Sequence, residues 1–267
     1  MDEKRKDLIN AIIAIIACLA IYKIFGKLVE NLTTNENVKS LIAQLIFASC
    51  VFIAMILCKK SDIFRKSSIP FAKYWATPFL LVVQMILVSL VNIDKFFEIS
   101  IPGVEVVFFL IQMILVGFCE EVLFRGLLQR ALHNLFGEDS WILVIFAVLI
   151  TGVCFGGVHL VNAFNPKITL RTAALQALSV LGTGTYFCAI YYRSGKNIWY
   201  LIFLHGLWDV IASVASGRLA GKTVVDAVDV ASQLTVSGIL PLVGIYLLAS
   251  LLILRPNKVK EVVELTK

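Results

Sequence analysis

The chain has 267 residues, 59% hydrophobic and only 16% charged, with a mean hydropathy of +0.89. Soluble domains carry about 25% charged and 45–50% apolar residues, so this composition excludes a soluble enzyme, a disordered chain and a disulfide-stapled secreted domain. The net charge of +6 is spread among the links between apolar blocks, where Lys and Arg set topology beside anionic lipid, and does not point to nucleic acid.

A spanning helix needs about 20 mostly apolar residues. Eight blocks satisfy this, at 8–26, 40–58, 74–93, 104–123, 141–161, 172–192, 197–215 and 234–254. They predict an all-α, polytopic integral membrane protein with about eight transmembrane helices. The first block lacks a small-residue cleavage site and reads as an anchor, not a signal peptide. The expected organisation is three N-terminal helices in 1–103, a core in 104–215, and a last helix with a basic tail in 216–267. With the N-terminus inside, the inner segments hold 16 Lys and Arg and the outer links 8. That bias predicts a cell-membrane protein with both termini in the cytoplasm. Cys18, Cys50, Cys58, Cys119, Cys154 and Cys188 lie in or beside apolar blocks without metal-ribbon spacing, and read as small core residues.

Ionisable groups inside a spanning helix cost about 2.5–3.5 kcal/mol and face a cavity or a partner. The fourth block carries Glu120, Glu121 and Arg125. Glu121 and Arg125 are four apart and share a helical face, which predicts an ion pair, whereas Glu120 is rotated about 100° from its neighbour. The fifth block carries Phe155 and His159 around Gly156 and Gly157, small residues that permit close helix approach. The seventh carries His205 and Asp209, again four apart on one face, a pair that is either purely structural, with Asp209 fixing the imidazole tautomer, or part of a reacting group. His133, near the end of the fourth helix, reads as interfacial. Glu and His are the usual general bases for activating water, a second imidazole with an acid beside it can stabilise an oxyanion, and the same four groups could instead ligate zinc. Their side chains are expected to converge on a space of about one to two waters.

The stretches EEVLFR, FGGVH and HGLWD resemble the EExxxR, FxxxH and HxxxN/D motifs of the CPBP membrane proteases, the CAAX-protease and bacteriocin-processing family also called Abi. The resemblance covers about residues 104–215. It implies an intramembrane endopeptidase acting on a membrane-associated peptide or protein near the cytoplasmic face. Glu120 and His159 would activate water, and His205 and Asp209 would hold the oxyanion or, on a metalloprotease reading, zinc. Glu121, Arg125 and Phe155 would support them. Many members carry Asn where this chain has Asp209. Bacterial members also act in bacteriocin immunity, pheromone processing or sensor control, so a non-catalytic immunity or sensor-modulating role is the alternative. A proton-coupled transporter is a weaker one, because the chain shows no repeated halves.

One tension concerns depth. Glu120 and His205 fall in the cytoplasmic halves of their predicted helices, while His159 lies about 27 Å along the helix from Trp141, near the outer face. Either the fourth and fifth helices project into the cytoplasm or the block boundaries shift.

Overall fold

The computed structural model describes residues 2–29, 31–222 and 235–266, and no strand occurs among them. Its principal helices are α1 (Glu3–Val29), α2 (Glu36–Leu57), α3 (Phe79–Val91), α4 (Gly103–Phe136), α5 (Trp141–Phe164), α6 (Leu170–Arg193), α7 (Ile198–Ala215), α8 (Val236–Ile253) and α9 (Pro256–Thr266). Seven of them are long and apolar enough to cross a membrane, and α3 is shorter. The protein is an all-helical, multi-pass membrane protein. Position 234, where the eighth predicted block begins, lies outside the described residues.

Three boundaries differ from expectation. The third block is helical for only 13 residues, about 20 Å of rise against a hydrocarbon core of about 30 Å. Pro78 stands at its N-terminus, and the residues before it are held as turns. There Thr77 Oγ1 donates to the Tyr74 carbonyl (2.7 Å), Tyr200 Oη to the Trp75 carbonyl (3.1 Å) and Tyr186 Oη to the Thr77 carbonyl.

The fourth block does not end near 123 but continues to Phe136, 34 residues in all, roughly 50 Å. Val122–Gln129 is π-helical and buried throughout. Arg125 and Gln129 end a hydropathy run on paper, yet they face protein instead of lipid. Glu120 sits near the middle of this 34-residue helix instead of near its end. In the fifth block the α-helix stops at Val158, and His159–Phe164 tightens into a 3₁₀ helix.

Short caps set several starts, as expected where orphan N–H groups need an acceptor. Asn35 accepts from Asn37 N and Val38 N, Thr169 from Thr172 N, and Asn197 from Tyr200 N. The loops then lock the two ends of the bundle. At one end Asp7 meets Lys60 (2.9 Å) and Asn134 (3.0 Å), Arg130 meets Asp62 (2.5 Å), and Lys196 meets Glu138 (2.5 Å). On α9, Val259 and Val262 are buried while Glu261 pairs with Arg193 (2.9 Å) and Lys73 (3.0 Å). At the opposite end Asn35 and Asn37 hold Glu105, and Ser100 N donates to the Leu219 carbonyl.

Candidate active site

The crossing of α4 and α7 comes first, because it brings two charged stretches together. A Cβ placed on Gly117 would lie 3.0 Å from both Gly206 N and the Ile202 carbonyl oxygen, so the two backbones touch only because Gly117 has no side chain. One turn along α4 from this contact, Glu121 reaches His205. Its Oε1 accepts from His205 Nδ1 (2.6 Å) and from Arg125 Nη1 (2.8 Å), while Arg125 Nη2 donates to the Gly184 carbonyl on α6 (2.9 Å). Arg125 also lies over the Phe155 ring at 4.3 Å, a cation–π contact. Glu121 and Arg125 are fully buried.

The Glu121–Arg125 pair therefore forms as the helical spacing predicts. Of the two readings of the His205–Asp209 pair, the structural one would anchor the ring at Asp209, whereas Nδ1 of His205 is held by Glu121. Asp209 Oδ2 approaches the other ring nitrogen, Nε2, at 3.6 Å, and Glu120 Oε2 approaches the same nitrogen at 3.5 Å. The difference is geometric: intrahelical spacing shows which residues share a face of α7, but not which residue of α4 the crossing delivers. Phe187, which no motif singles out, packs 5.3 Å from the His205 ring. A Cβ on Gly184 would collide with Phe155. Both positions depend on the docking of α6 and leave no local signal in the sequence.

His159 sits where α5 changes from α to 3₁₀. Its backbone N–H turns to Gly156 and Gly157, and its ring Nδ1 meets the Phe155 carbonyl oxygen at 2.9 Å. A hydrogen on Nδ1 donated to that carbonyl leaves Nε2 as the acceptor nitrogen. Phe155 packs edge-on against both imidazoles, 5.2 Å from His159 and 6.1 Å from His205. Of the two glycines before His159, only Gly156 is a close-approach site, with its Cβ position 2.7 Å from the Ala177 carbonyl oxygen. Gly157 has open space.

Glu120, His159, His205 and Asp209 all line one cavity of about 690 Å³. It is far larger than the expected space of one or two waters, because α1 and α2 form its far wall with residues such as Tyr22, Lys23 and Gln44. The Glu120 and Asp209 side chains remain 27% and 21% exposed, so both are reachable from it. His133 lies elsewhere. It is 1% exposed and packs on Tyr192 at 5.1 Å, so its ring is buried in protein.

As a zinc site the arrangement does not fit. Among the described residues no three His, Cys, Asp or Glu side chains are grouped to hold a metal ion. Glu120 and Asp209 both turn to His205, and His159 has no carboxylate within ion-pair distance among them. The six cysteines are free thiols.

The multi-pass helical bundle thus encloses a cavity whose wall includes Glu120, His159, His205 and Asp209. Residues 102–211 match the family model for type II CAAX prenyl endopeptidase, Rce1-like. This stretch, from the start of α4 into α7, is similar to that family, and the match indicates a membrane protease. No curated protein and no solved structure matches the chain.

Proposed function

We propose that the protein hydrolyses a peptide bond of a membrane-associated peptide or protein near the cytoplasmic face, using water activated by Glu120 and His159. The observation that carries this reading is that Glu120, His159, His205 and Asp209 line a single cavity. The water donates one hydrogen to Glu120, and the other is directed at His159 Nε2. As its oxygen bonds to the scissile carbonyl carbon, the proton passes to the Glu120 carboxylate and the carbonyl π pair moves onto oxygen. His205 donates to that oxyanion through Nε2–H, and Asp209 donates to it as the neutral acid. His205 acts as an imidazolium, with Nδ1–H on Glu121 and Nε2–H toward the substrate, its charge balanced by the surrounding carboxylates. When the tetrahedral carbon collapses, the C–N bond breaks and the proton on Glu120 goes to the departing amine. Positioned donors of this kind act on charge that develops in the transition state.

The cytoplasmic assignment rests on the basic segments around Lys60, Lys73, Arg130 and Lys196, which gather at one end of the bundle. Positive-inside bias puts that end in the cytoplasm. The family description makes a prenylated C-terminal CAAX box the first substrate to try.

The test compares vesicles containing wild-type protein with vesicles containing Glu120→Gln, presented with a farnesylated, internally quenched CAAX peptide and with the host membrane's own peptides. Cleavage that disappears in Glu120→Gln supports the reading, and activity within threefold of wild type in that variant overturns it. Zinc measured in the purified enzyme, before and after a chelator, should be substoichiometric, and activity should persist. Stoichiometric zinc whose removal and return switch activity off and on would reverse the metal-free assignment.

A further inference from the structure

One wall of the cavity carries, beyond His159, polar groups that the hydrolytic steps do not use. His159, Asn162 and Asn165 all line it, and they are three residues apart in the segment that tightens into a 3₁₀ helix at His159–Phe164. In a 3₁₀ helix, positions i and i+3 eclipse, and three residues rise about 6 Å. The segment therefore presents a column of polar side chains at a period of about 6 Å. An extended peptide repeats the hydrogen-bonding groups of one edge every two residues, about 6.6 Å. The two periods match closely enough for successive rungs to meet alternate residues of one extended chain.

The middle rung is fixed by α6. Asn162 Nδ2 donates to Gln176 Oε1 at 2.8 Å, and both side chains are half-buried and line the cavity. This bond leaves Asn162 Oδ1 as a free acceptor and Gln176 Nε2 as a free donor, since neither makes another hydrogen bond among the described residues. An acceptor beside a donor is the complement of a peptide edge, which offers one N–H and one C=O. Asn165, at the end of the column, already accepts from Lys167 N through Oδ1.

We propose that the Asn162–Gln176 amide pair is a backbone clamp. It takes the N–H and C=O of an extended substrate about two residues from the bond presented to His159, and it recognises peptide main chain in place of a particular side chain. The proposal rests on the hydrolytic reading above and names how that site holds its substrate. Asn162 and Gln176 are positioning residues, remote from the reacting atoms.

The experiment uses the full-length protein in vesicles and the farnesylated CAAX peptide, with each backbone amide around the cleaved bond N-methylated in turn. Kinetics are measured for wild type, Asn162→Leu and Gln176→Leu. Binding by fluorescence anisotropy is measured in the Glu120→Gln background, where turnover does not interfere. The clamp predicts that each Leu variant raises KM and Kd about tenfold, with kcat changed less than threefold, as expected for lost ground-state hydrogen bonds. It also predicts one N-methyl position that weakens binding to wild type by the same factor and adds nothing further in the variants.

A pair that merely ties the 3₁₀ segment to α6 would lower kcat and give additive N-methyl penalties, and either result overturns the proposal. If Leu at 162 fails to fold, Asn162→Ser carries the same test, since it removes the amide with less strain. Binding that survives in Asn162→Leu sinks the clamp alone, whereas absence of cleavage by wild type sinks the hydrolytic reading. Absence of any binding sinks both.

Discussion

The two imidazoles of the cavity are held in opposite ways. His205 is enclosed: Glu121 takes its Nδ1, Glu121 is itself locked to Arg125, and Arg125 is fixed to the Gly184 carbonyl and the Phe155 ring. His159 is tethered only to the carbonyl one turn before it, and its remaining nitrogen is free among the described residues. An oxyanion site must be rigid before charge develops, because reorganisation during the reaction would forfeit its electrostatic advantage. A base that handles water and substrate needs an open nitrogen. On the proposed mechanism, the contrast separates a fixed oxyanion site at His205 from an open base at His159.

That separation is sharpest between two adjacent carboxylates. Glu121→Gln should cause the largest loss of folded protein. It leaves the guanidinium of Arg125 buried without its counter-charge, and removing one partner of a buried pair costs about 3–5 kcal/mol. Glu120→Gln should leave folded yield and detergent thermal stability near wild type while lowering kcat by at least the 10²–10⁴-fold typical of a general base. Size-exclusion yield, melting curves and turnover of both variants measure the difference. Equal yields with equal loss of activity would erase the distinction.

The Glu121–Arg125 pair was legible in the sequence because both ends lie on one helix, where spacing of four fixes proximity. The link from Glu121 to His205 was not, since it depends on where α4 crosses α7. Hydropathy placed the cores of the long helices. It failed at Val122–Gln129, where burial in protein mimics a polar helix end, and at Pro78, where a turn consumes the start of an apolar block. The motif stretches marked residues that share the cavity, but the wall provided by α1 and α2 carries no pattern that a motif could show.

Glycine substitutions probe the same comparison at the level of backbone contact. Gly117→Ala places a methyl 3.0 Å from two backbone atoms of α7, so α4 and α7 must separate. Overpacking of this kind costs about 1–3 kcal/mol, and the separation should weaken the Glu121–His205 hydrogen bond and reduce kcat as well as melting temperature. Gly157→Ala meets nothing within 4 Å and should be neutral, or stabilising by up to about 1 kcal/mol through helix propensity. A destabilising Gly157→Ala would mean that lipid or another protein packs against the open side of the His159 helix.

The smallest effect is expected far from the cavity, at Glu261 on α9. Hydrogen bonds from Lys258 and Lys73, with Arg193 nearby, push its carboxyl down to about 2 from the ordinary value of 4.5. A carboxylate whose folded value is depressed stabilises the folded state fully above the unfolded value. That contribution is lost as pH falls from about 4.5 through 2. Glu261→Gln should therefore lower stability by less than about 1 kcal/mol at neutral pH, the range of solvent-screened pairs, and the deficit should stay constant from pH 5 to 8 because about 4.5 lies below that window. Below it, wild type and variant should converge, with turnover at pH 7 unchanged throughout. Melting curves of both proteins across this range measure the effect, and a deficit that grows on acidification would show that Glu261 is held by something other than its cationic partners.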